Sequence, residues 1–145
     1  MIEFDFIPFH DVMLQIAEKV TSHEQEVEYY GDANVDWNYY MASSMAGQCF
    51  AVVIKDDGYL VGYSVFTIGG NPNHKHLIEA SNTALYLDKE YRGKIGREMF
   101  AYAQKRLFSM GVNEISYAVK NERIGNLLRR FGYAPEHTVW SMKNE

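Results

Sequence analysis

The stretch Leu85-Tyr-Leu-Asp-Lys-Glu-Tyr-Arg-Gly-Lys-Ile-Gly-Arg97 joins an apolar strand to a long amphipathic helix through a charged turn. A turn of this kind leaves backbone N–H groups at the start of the helix without intrahelical partners, and the helix dipole adds partial positive charge there. The turn also carries three cationic side chains, Arg92, Lys94 and Arg97. These features suit a phosphate or pyrophosphate, so we predict that the chain binds a phosphorylated small molecule here. The alternative is an ordinary strand-to-helix turn with solvated charges.

Length and composition predict one soluble domain over residues 1–145, because 47% of the 145 residues are hydrophobic and 23% are charged. The formal net charge of −5 should repel polyanions, which argues against a nucleic-acid partner. The apolar runs are shorter than a membrane span, and the N-terminus lacks the basic region of a signal peptide. We therefore expect no membrane association and a cytoplasmic location. The single Cys49 excludes an internal disulfide and is interpreted as a buried apolar residue.

Hydrophobic periodicity predicts the element order β-α-α-β-β-β-α-β-α-β. Helices are expected from Asp11 and after Asp36, and Asp57-Gly58 between two apolar runs predicts a hairpin. Residues 21–31 and 69–73 are predicted loops, residues 114–119 a strand, and residues 138–142 a final strand. The strand–helix–strand unit over 77–119 should be a right-handed crossover with parallel strands, whereas the hairpin makes the rest of the sheet antiparallel. The predicted fold class is α/β (α+β), with a mixed, mostly antiparallel sheet and helices on both faces.

The charged turn fits neither a P-loop nor a dinucleotide-binding fingerprint. It resembles the acetyl-CoA loop of the GCN5-related N-acetyltransferases (the GNAT superfamily), which often reads Tyr-Arg-Gly-Lys-Gly-Ile-Gly. This chain has Tyr91-Arg-Gly-Lys-Ile-Gly96, one glycine shorter, so the loop must turn more tightly. Further matches to the family pattern within residues 77–143 are Leu85, Leu87, Gly111, Asn121 and Gly132-Tyr133. The spacing is most similar to that of small acetyltransferase-like proteins encoded by bacteriophages.

The resemblance implies that two neighbouring parallel strands in the centre of the sheet splay apart and that the pantetheine arm of acetyl-CoA lies in the gap. The acetyl-CoA (coenzyme A) contacts that it implies are Leu85, Tyr86 and Leu87 along the arm, Arg92, Gly93, Lys94, Ile95, Gly96 and Arg97 around the pyrophosphate, and Asn121 beside the arm. The alternative for Asn121 is a plain helix N-cap.

The reaction implied by the resemblance is direct transfer of an acyl group from a thioester to an amine. Many relatives place a tyrosine seven residues after the helix-opening Asn to protonate the leaving thiolate, but here that position is Leu128, which cannot donate a proton. Tyr117 is the candidate proton donor and Glu79 the candidate base. Their alternatives are a packed tyrosine and a solvated strand-edge glutamate. His74 and His76 lack further ligands at suitable spacing, so no metal is predicted.

Three functions follow from these observations. The first is an acetyl-CoA-dependent N-acyltransferase that acts on a small-molecule or peptide amine. The second, motivated by Leu128 and the shortened loop, is a catalytically inactive GNAT-like fold that serves as a CoA-binding or structural protein. The third is a module that binds another phosphorylated ligand. The sequence leaves the acceptor and the oligomeric state open, with a homodimer among the alternatives.

Overall fold

The computed structural model describes residues 1–24, 35–119 and 122–144, without the side chains of residues 21–24. Its strands are β1 (Ile2–Pro8), β2 (Cys49–Asp56), β3 (Tyr59–Asn71), β4 (His74–Leu87) and β5 (Glu114–Ser116). Its helices are α1 (Met13–Glu24), α2 (Trp37–Met45), α3 (Lys94–Ser109) and α4 (Glu122–Arg130). None of these helices combines the length and the apolar character needed to cross a membrane.

The strands form one sheet in the order β1-β2-β3-β4-β5. Neighbouring strands are antiparallel except for β4 and β5, which are parallel because α3 carries the chain across the sheet between them. The predicted hairpin joins β2 to β3, and the predicted parallel pair is present. The mixed, mostly antiparallel sheet of the sequence prediction is therefore confirmed.

Both faces of the sheet are buried, as the predicted two-sided packing of helices requires. Val52 and Ile54 of β2 pack on the side of α3, together with Leu107 of that helix. Val53, the residue between them, packs on the opposite side with Ile16 of α1. Because both sets of alternate side chains are buried, β2 reads in sequence as a continuous apolar run.

The parallel strands separate soon after they pair. β4 and β5 are paired only over Glu79–Ser81 and Glu114–Ser116, and residues 82–87 of β4 continue without β5 beside them. The predicted splay of the parallel pair is thus confirmed, but the pair lies at the edge of the described sheet and not in its centre, because β5 is the last strand in the order. The splay opens a gap whose far end is the start of α3.

A bulge in β4 lies at the mouth of this gap. Ala84 pairs with Val65 but Asn82 pairs with Phe66, so Thr83 is an additional residue with no partner of its own. One additional residue reverses the orientation of every side chain that follows it.

The bulge overturns one feature of the sequence pattern. Simple alternation predicts that one face of this strand is mostly small and is formed by Ala80, Asn82, Ala84 and Tyr86. This prediction is wrong, because Ala80 packs on the α3 side whereas Ala84 and Tyr86 pack on the α1 side.

Other predicted boundaries also differ from the structure. Of the loop predicted over 69–73, only residues 72 and 73 form a turn, since β3 continues to Asn71 and β4 begins at His74. His74 and His76 therefore lie in a strand. The Asn71 side chain accepts a hydrogen bond from the Asn73 N–H at 2.8 Å, which closes a tight turn. The strand predicted over 114–119 ends at Ser116.

The first helix begins and ends later than predicted. Asp11 lies in the 3₁₀ turn Phe9–Asp11, and α1 starts at Met13 and continues to Glu24. The remainder of the loop predicted over 21–31 lies outside the described residues. Asp36 does cap α2 as predicted, because its Oδ1 accepts a hydrogen bond from the Tyr39 N–H at 3.0 Å.

The predicted final strand is absent. Residues 138–142 have no regular structure, and Val139, Trp140 and Met142 are 82%, 90% and 98% exposed. Within the described residues, β5 is the last strand of the sheet. Strand-forming side chains alone do not make a strand when no backbone partner is in reach.

Candidate functional site

The N-terminus of α3 has the geometry of an anion site. Gly93 precedes the helix with φ 104° and ψ −112°, a conformation that only glycine adopts readily. The N–H of Arg97 donates to the Gly93 carbonyl at 3.0 Å, which is the first hydrogen bond of the helix. The N–H groups of Lys94, Ile95 and Gly96 therefore have no intrahelical acceptor, and no side chain at Gly93 caps them.

The turn before α3 is held in place by a hydrogen bond to the β2–β3 hairpin. The Tyr91 hydroxyl donates to Asp56 Oδ2 at 2.7 Å, and the amino group of Met1 lies 3.1 Å from Asp56 Oδ1. The bond from Tyr91, followed by that from Met1, lowers the pKa of Asp56, and the same carboxylate raises the pKa of Tyr91 to about 12.

A second connection ties the turn to α1. Lys19 Nζ donates to both carboxylate oxygens of Asp88, at 3.0 and 2.9 Å, and both side chains are mostly buried. The Asp88 N–H donates to the carbonyl of Val61 in β3 at 2.8 Å, and its carbonyl accepts from the N–H of Tyr91 at 3.0 Å. The shortened loop is therefore anchored on both sides before Gly93 is reached.

The three cations of the turn differ in role. Arg92 Nε donates to the carbonyl of Leu87 at 2.8 Å, and its guanidinium carbon lies 5.9 Å from the ring centroid of Tyr86. Arg92 thus braces the end of β4. Lys94 and Arg97 are exposed in the first turn of α3, which contains no acidic residue. Their charge adds to that of the helix dipole at the N–H groups.

The predicted pantetheine residues line the gap through their backbone. The Asp88 N–H points to β3, so strand alternation turns the amides of Leu87 and Leu85 toward the gap. The amide of Tyr86 faces β3, and its ring lies 5.8 Å from that of Tyr63 in the core on the α1 side. The side chain of Leu87 is buried on the α3 side.

Tyr117 lies where the two parallel strands separate. It follows Ser116, the last paired residue of β5, and its ring contacts those of Phe66, Phe100 and Tyr133 at centroid distances of 5.7, 5.3 and 5.5 Å. Its hydroxyl is buried and has no hydrogen-bond partner among the described residues. Burial raises the pKa of Tyr117 well above its ordinary value.

Three polar residues that were not predicted as site residues, Ser64, Asn82 and Tyr133, lie on the same side of the sheet as Tyr117. Asn82 Nδ2 donates to Ser64 Oγ at 2.9 Å, and Ser64 is only 1% exposed. The hydroxyls of Ser64 and Tyr133 both affect the pKa of Tyr117. Ser64 and Asn82 stand out in the sequence because they are polar residues within two apolar strands. Their proximity could not be predicted, because it depends on the bulge.

Glu79 lies apart from Tyr117. It is partly buried in the paired section of β4, opposite Glu114, and its Oε1 accepts a hydrogen bond from Asn71 Nδ2 at 2.7 Å. Ala80 packs on the α3 side, so alternation turns Glu79 toward the α1 side. Tyr117 packs on the α3 side, and the two candidates therefore occupy opposite faces of the sheet.

Tyr40 of α2 is a further residue that sequence reasoning missed. It packs on the α1 side, with its ring 5.0 Å from that of Phe9. Burial raises the pKa of Tyr40, and a hydrogen-bonding interaction with Thr83, the bulged residue of β4, partly offsets the rise. Tyr40 thus extends from α2 to the mouth of the gap.

Leu128, whose side chain cannot donate a proton, belongs to the core. Leu128 of α4 is 6% exposed, and its carbonyl accepts hydrogen bonds from the N–H groups of Phe131 and Tyr133, at 2.9 and 3.2 Å. Asn121, which was predicted to lie beside the cofactor arm, is outside the described residues.

One group of potential metal ligands occurs in the described parts of the chain. Side-chain donor atoms of Glu114, Glu136 and His137 lie within 4.8 Å of one another. All three residues are exposed, and they lie beside the start of β5 rather than at its separation from β4. We assign no metal to this group.

Comparison with known proteins places this geometry in a family. The model of the acetyltransferase (GNAT) family matches residues 13–133, and the chain belongs to that family. No curated protein matches the sequence.

Solved structures share the fold over essentially the whole chain. A ribosomal-protein-alanine N-acetyltransferase from Brucella melitensis biovar Abortus 2308 superposes with a TM-score of 0.75 at 16% identity, covering 100% of this chain and 99% of that one. Glucosamine-6-phosphate N-acetyltransferase from Arabidopsis thaliana gives 0.72 at 14% identity, with coverages of 100% and 99%. A protein from Clostridium acetobutylicum described as a predicted acetyltransferase, solved with acetyl-CoA, gives 0.73 at 12% identity, with coverages of 99% and 96%.

Proposed function

We propose that this protein is an acetyl-CoA-dependent N-acyltransferase that moves an acetyl group directly to a primary amine. The observation that carries the proposal is the N-terminus of α3, where uncapped N–H groups and the cations Lys94 and Arg97 lie at the end of the gap between β4 and β5. A diphosphate needs such donors, and an extended amide-containing arm needs unpaired strand backbone of the kind that Leu85 and Leu87 offer. The donor set therefore fits coenzyme A. When bound, acetyl-CoA supplies an acetyl group activated as a thioester.

The protein residues then have separate tasks. Lys94, Ile95 and Gly96 bind the pyrophosphate through their N–H groups, and Arg97 adds charge. The backbone of Leu85 and Leu87 orients the arm. The bulge leaves Thr83 without a partner in β3, and its main-chain N–H is the proposed donor that stabilises developing negative charge on the carbonyl oxygen.

The transfer forms one bond and breaks another. The amine nitrogen forms a bond to the acetyl carbon as the carbon–sulfur bond breaks; the nitrogen loses a proton and the sulfur gains one. Glu79, on the α1 side, accepts the amine proton directly or through water, and Tyr117, on the α3 side, donates to the leaving sulfur. Their positions on opposite faces match a reaction in which the amine approaches from one side of the gap and the thiol departs toward the other.

The acceptor is proposed to be a small-molecule or peptide amine that enters on the α1–α2 side, where Tyr40 reaches the bulge. The names of structural neighbours, which include a glucosamine-6-phosphate and a ribosomal-protein-alanine acetyltransferase, support this range of acceptors without selecting one. A cytoplasmic location, a homodimer and the closeness to bacteriophage-encoded members stay predictions from the sequence.

A second function is favoured by one observation. Leu128 is buried in the core, so the chain lacks a hydroxyl at the position that many relatives use. An inactive protein that binds CoA or serves a structural role would show this arrangement.

Two measurements test the proposal. Calorimetry with acetyl-CoA should give binding that weakens about 10-fold in Arg97→Ala and is unchanged in Lys105→Ala, a matched loss of one exposed charge farther along α3. Unchanged affinity in Arg97→Ala, or displacement of CoA by an unrelated nucleotide, would contradict the assignment of the turn. Mass spectrometry after incubation with acetyl-CoA and an amine library should find an acetylated product; binding without any product would favour the inactive alternative.

A further inference from the structure

A side-chain amide holds the bulge in β4 in place. Asn82 Nδ2 donates to the carbonyls of Ala84 and Val65, at 3.0 and 3.2 Å. It also donates to Ser64 Oγ at 2.9 Å. Ala84 follows the additional residue Thr83 in β4, and Val65 is the partner of Ala84 in β3. The amide of Asn82 therefore connects the two strands around Thr83.

The chemistry of the acceptors determines the orientation of this amide. A carbonyl oxygen can only accept hydrogen bonds, so the nitrogen of the Asn82 amide, and not its oxygen, faces Val65 and Ala84. The amide has two hydrogens for three acceptors, and one hydrogen is therefore shared. Ser64 is only 1% exposed, which keeps water away from this end of the amide.

The side chain of Thr83 does not hold the bulge by itself. Its Oγ1 lies 3.5 Å from the carbonyl of Val65, at the limit of a hydrogen bond. A bulge without a side-chain contact can move along its strand, because neighbouring registers differ by a single residue. Such a movement would displace the N–H of Thr83 from the mouth of the gap.

We propose that Asn82 is a positioning residue for acyl transfer, because its amide keeps the bulge in one register and so holds the N–H of Thr83 beside the thioester carbonyl. The inference rests on the proposed acyltransferase function, in which that N–H stabilises negative charge on the carbonyl oxygen. Asn82 acts through the backbone of Thr83 rather than by contact with the substrate.

The effect of Asn82 belongs to kcat rather than to the binding of acetyl-CoA. A donor directed at developing charge stabilises the transition state more than the bound thioester. The acetyl-CoA contacts proposed at Leu85, Leu87 and the start of α3 lie farther along the chain and do not include the Asn82 amide. Displacement of the Thr83 N–H should therefore slow the reaction and leave the affinity for acetyl-CoA near that of wild type.

Kinetics of CoA thiol release from acetyl-CoA test the inference, with hydroxylamine as the acceptor and the rate without protein subtracted. Asn82→Asp keeps the shape of the side chain but turns a carboxylate oxygen toward two carbonyls, and Asn82→Ala removes the donor without adding charge. We expect kcat to fall about 100-fold in Asn82→Asp and about 10-fold in Asn82→Ala, with Kd for acetyl-CoA within about threefold of wild type.

Asn113→Asp is the matched control. Asn113 Oδ1 accepts a hydrogen bond from the N–H of Ile78 in β4 at 2.7 Å, and a carboxylate oxygen can accept the same bond. This variant makes the same chemical change against the backbone of the same strand, so its kcat should equal that of wild type. A comparable fall of kcat in Asn113→Asp would overturn the proposal, since the effect would then not arise at the bulge.

A measurement without turnover separates the inference from the proposed function. In protein saturated with acetyl-CoA that carries ¹³C at the thioester carbonyl, a hydrogen bond to the carbonyl oxygen moves its resonance downfield of that in free acetyl-CoA. Asn82→Ala should lose most of this displacement, and Asn113→Asp should retain it. Retention of the displacement and of kcat in both Asn82 variants would overturn the inference and leave the acyltransferase assignment standing, and so would a loss of acetyl-CoA affinity that accounts for the whole loss of rate. Wild-type protein that binds no acetyl-CoA would overturn the assignment itself, and the inference with it.

Discussion

Replacement of Gly93 by alanine separates the two roles that the turn before α3 performs. At φ 104° and ψ −112°, an alanine would be strained by about 1–3 kcal/mol, although an added Cβ would have no atom within 4 Å. The cost therefore comes from the backbone alone. For a chain of this size such a loss lowers Tm by roughly 3–10 °C. If the backbone relaxes instead, the N–H groups of Lys94, Ile95 and Gly96 move away from the pyrophosphate position.

The same substitution at Gly111 is a matched control. Gly111 follows the other end of α3 with φ 95°, and an added Cβ there also has no atom within 4 Å. Both variants should lose thermal stability. Only Gly93→Ala should weaken acetyl-CoA binding, by about 10- to 100-fold if one charge-assisted hydrogen bond of ~1.5–3 kcal/mol is lost.

Differential scanning fluorimetry and isothermal titration calorimetry measure the two effects independently. The reasoning is refuted if Gly93→Ala has both the melting temperature and the acetyl-CoA affinity of wild type. It is also refuted if Gly111→Ala weakens binding as much as Gly93→Ala does, since the effect would then not arise at the N-terminus of the helix.

Further predictions concern the pH response, the thiol and the C-terminal segment. The pKa of Asp56 is lowered in the folded state. The ionised carboxylate therefore stabilises the fold above the ordinary pKa of 3.8, and this stabilisation is lost as pH falls through the lowered pKa. Tyr91→Phe should make the free energy of unfolding, measured by urea titration across about pH 2–5, depend less on pH. Asp56→Asn should return the pKa of Tyr91 from about 12 toward 10, as ultraviolet titration would report, and an unchanged value would contradict the hydrogen bond. Burial raises the pKa of the Cys49 thiol to about 12, so a thiol reagent at pH 8 should label it only after denaturant is added, and rapid labelling of native protein would contradict its burial. Removal of residues 138–145 should change Tm by less than about 2 °C, because the apolar side chains there are exposed, and a large drop would mean that the segment packs as a strand.

The sequence carried most of the information about the turn before α3 and about the parallel strand pair. The turn needs glycine at a positive φ, every helix leaves its first N–H groups without intrahelical acceptors, and the crossover makes β4 and β5 parallel. Each of these follows from a few neighbouring residues and from the chirality of the chain. The resemblance to the family added the splay of the strands, and the sheet confirms it.

The relative positions of Glu79, Tyr117 and the bulge in β4 depended on tertiary structure. A single additional residue, Thr83, turns Ala84 away from the side of the sheet on which Ala80 packs. The hydrophobic periodicity of the sequence does not predict this bulge. The proximity of Tyr117 and Tyr133 comes from packing between elements that are separated by a helix.

The sequence by itself determined the β2–β3 hairpin, the parallel crossover and the glycine-containing turn at the start of α3, because those depend on local backbone geometry and hydrophobic period. Only the tertiary structure decided that Glu79 and Tyr117 lie on opposite faces, that Leu128 belongs to the core, and that residues 138–142 do not join the sheet. Those outcomes depend on which backbone edges and side chains meet across the fold, which a linear pattern does not contain.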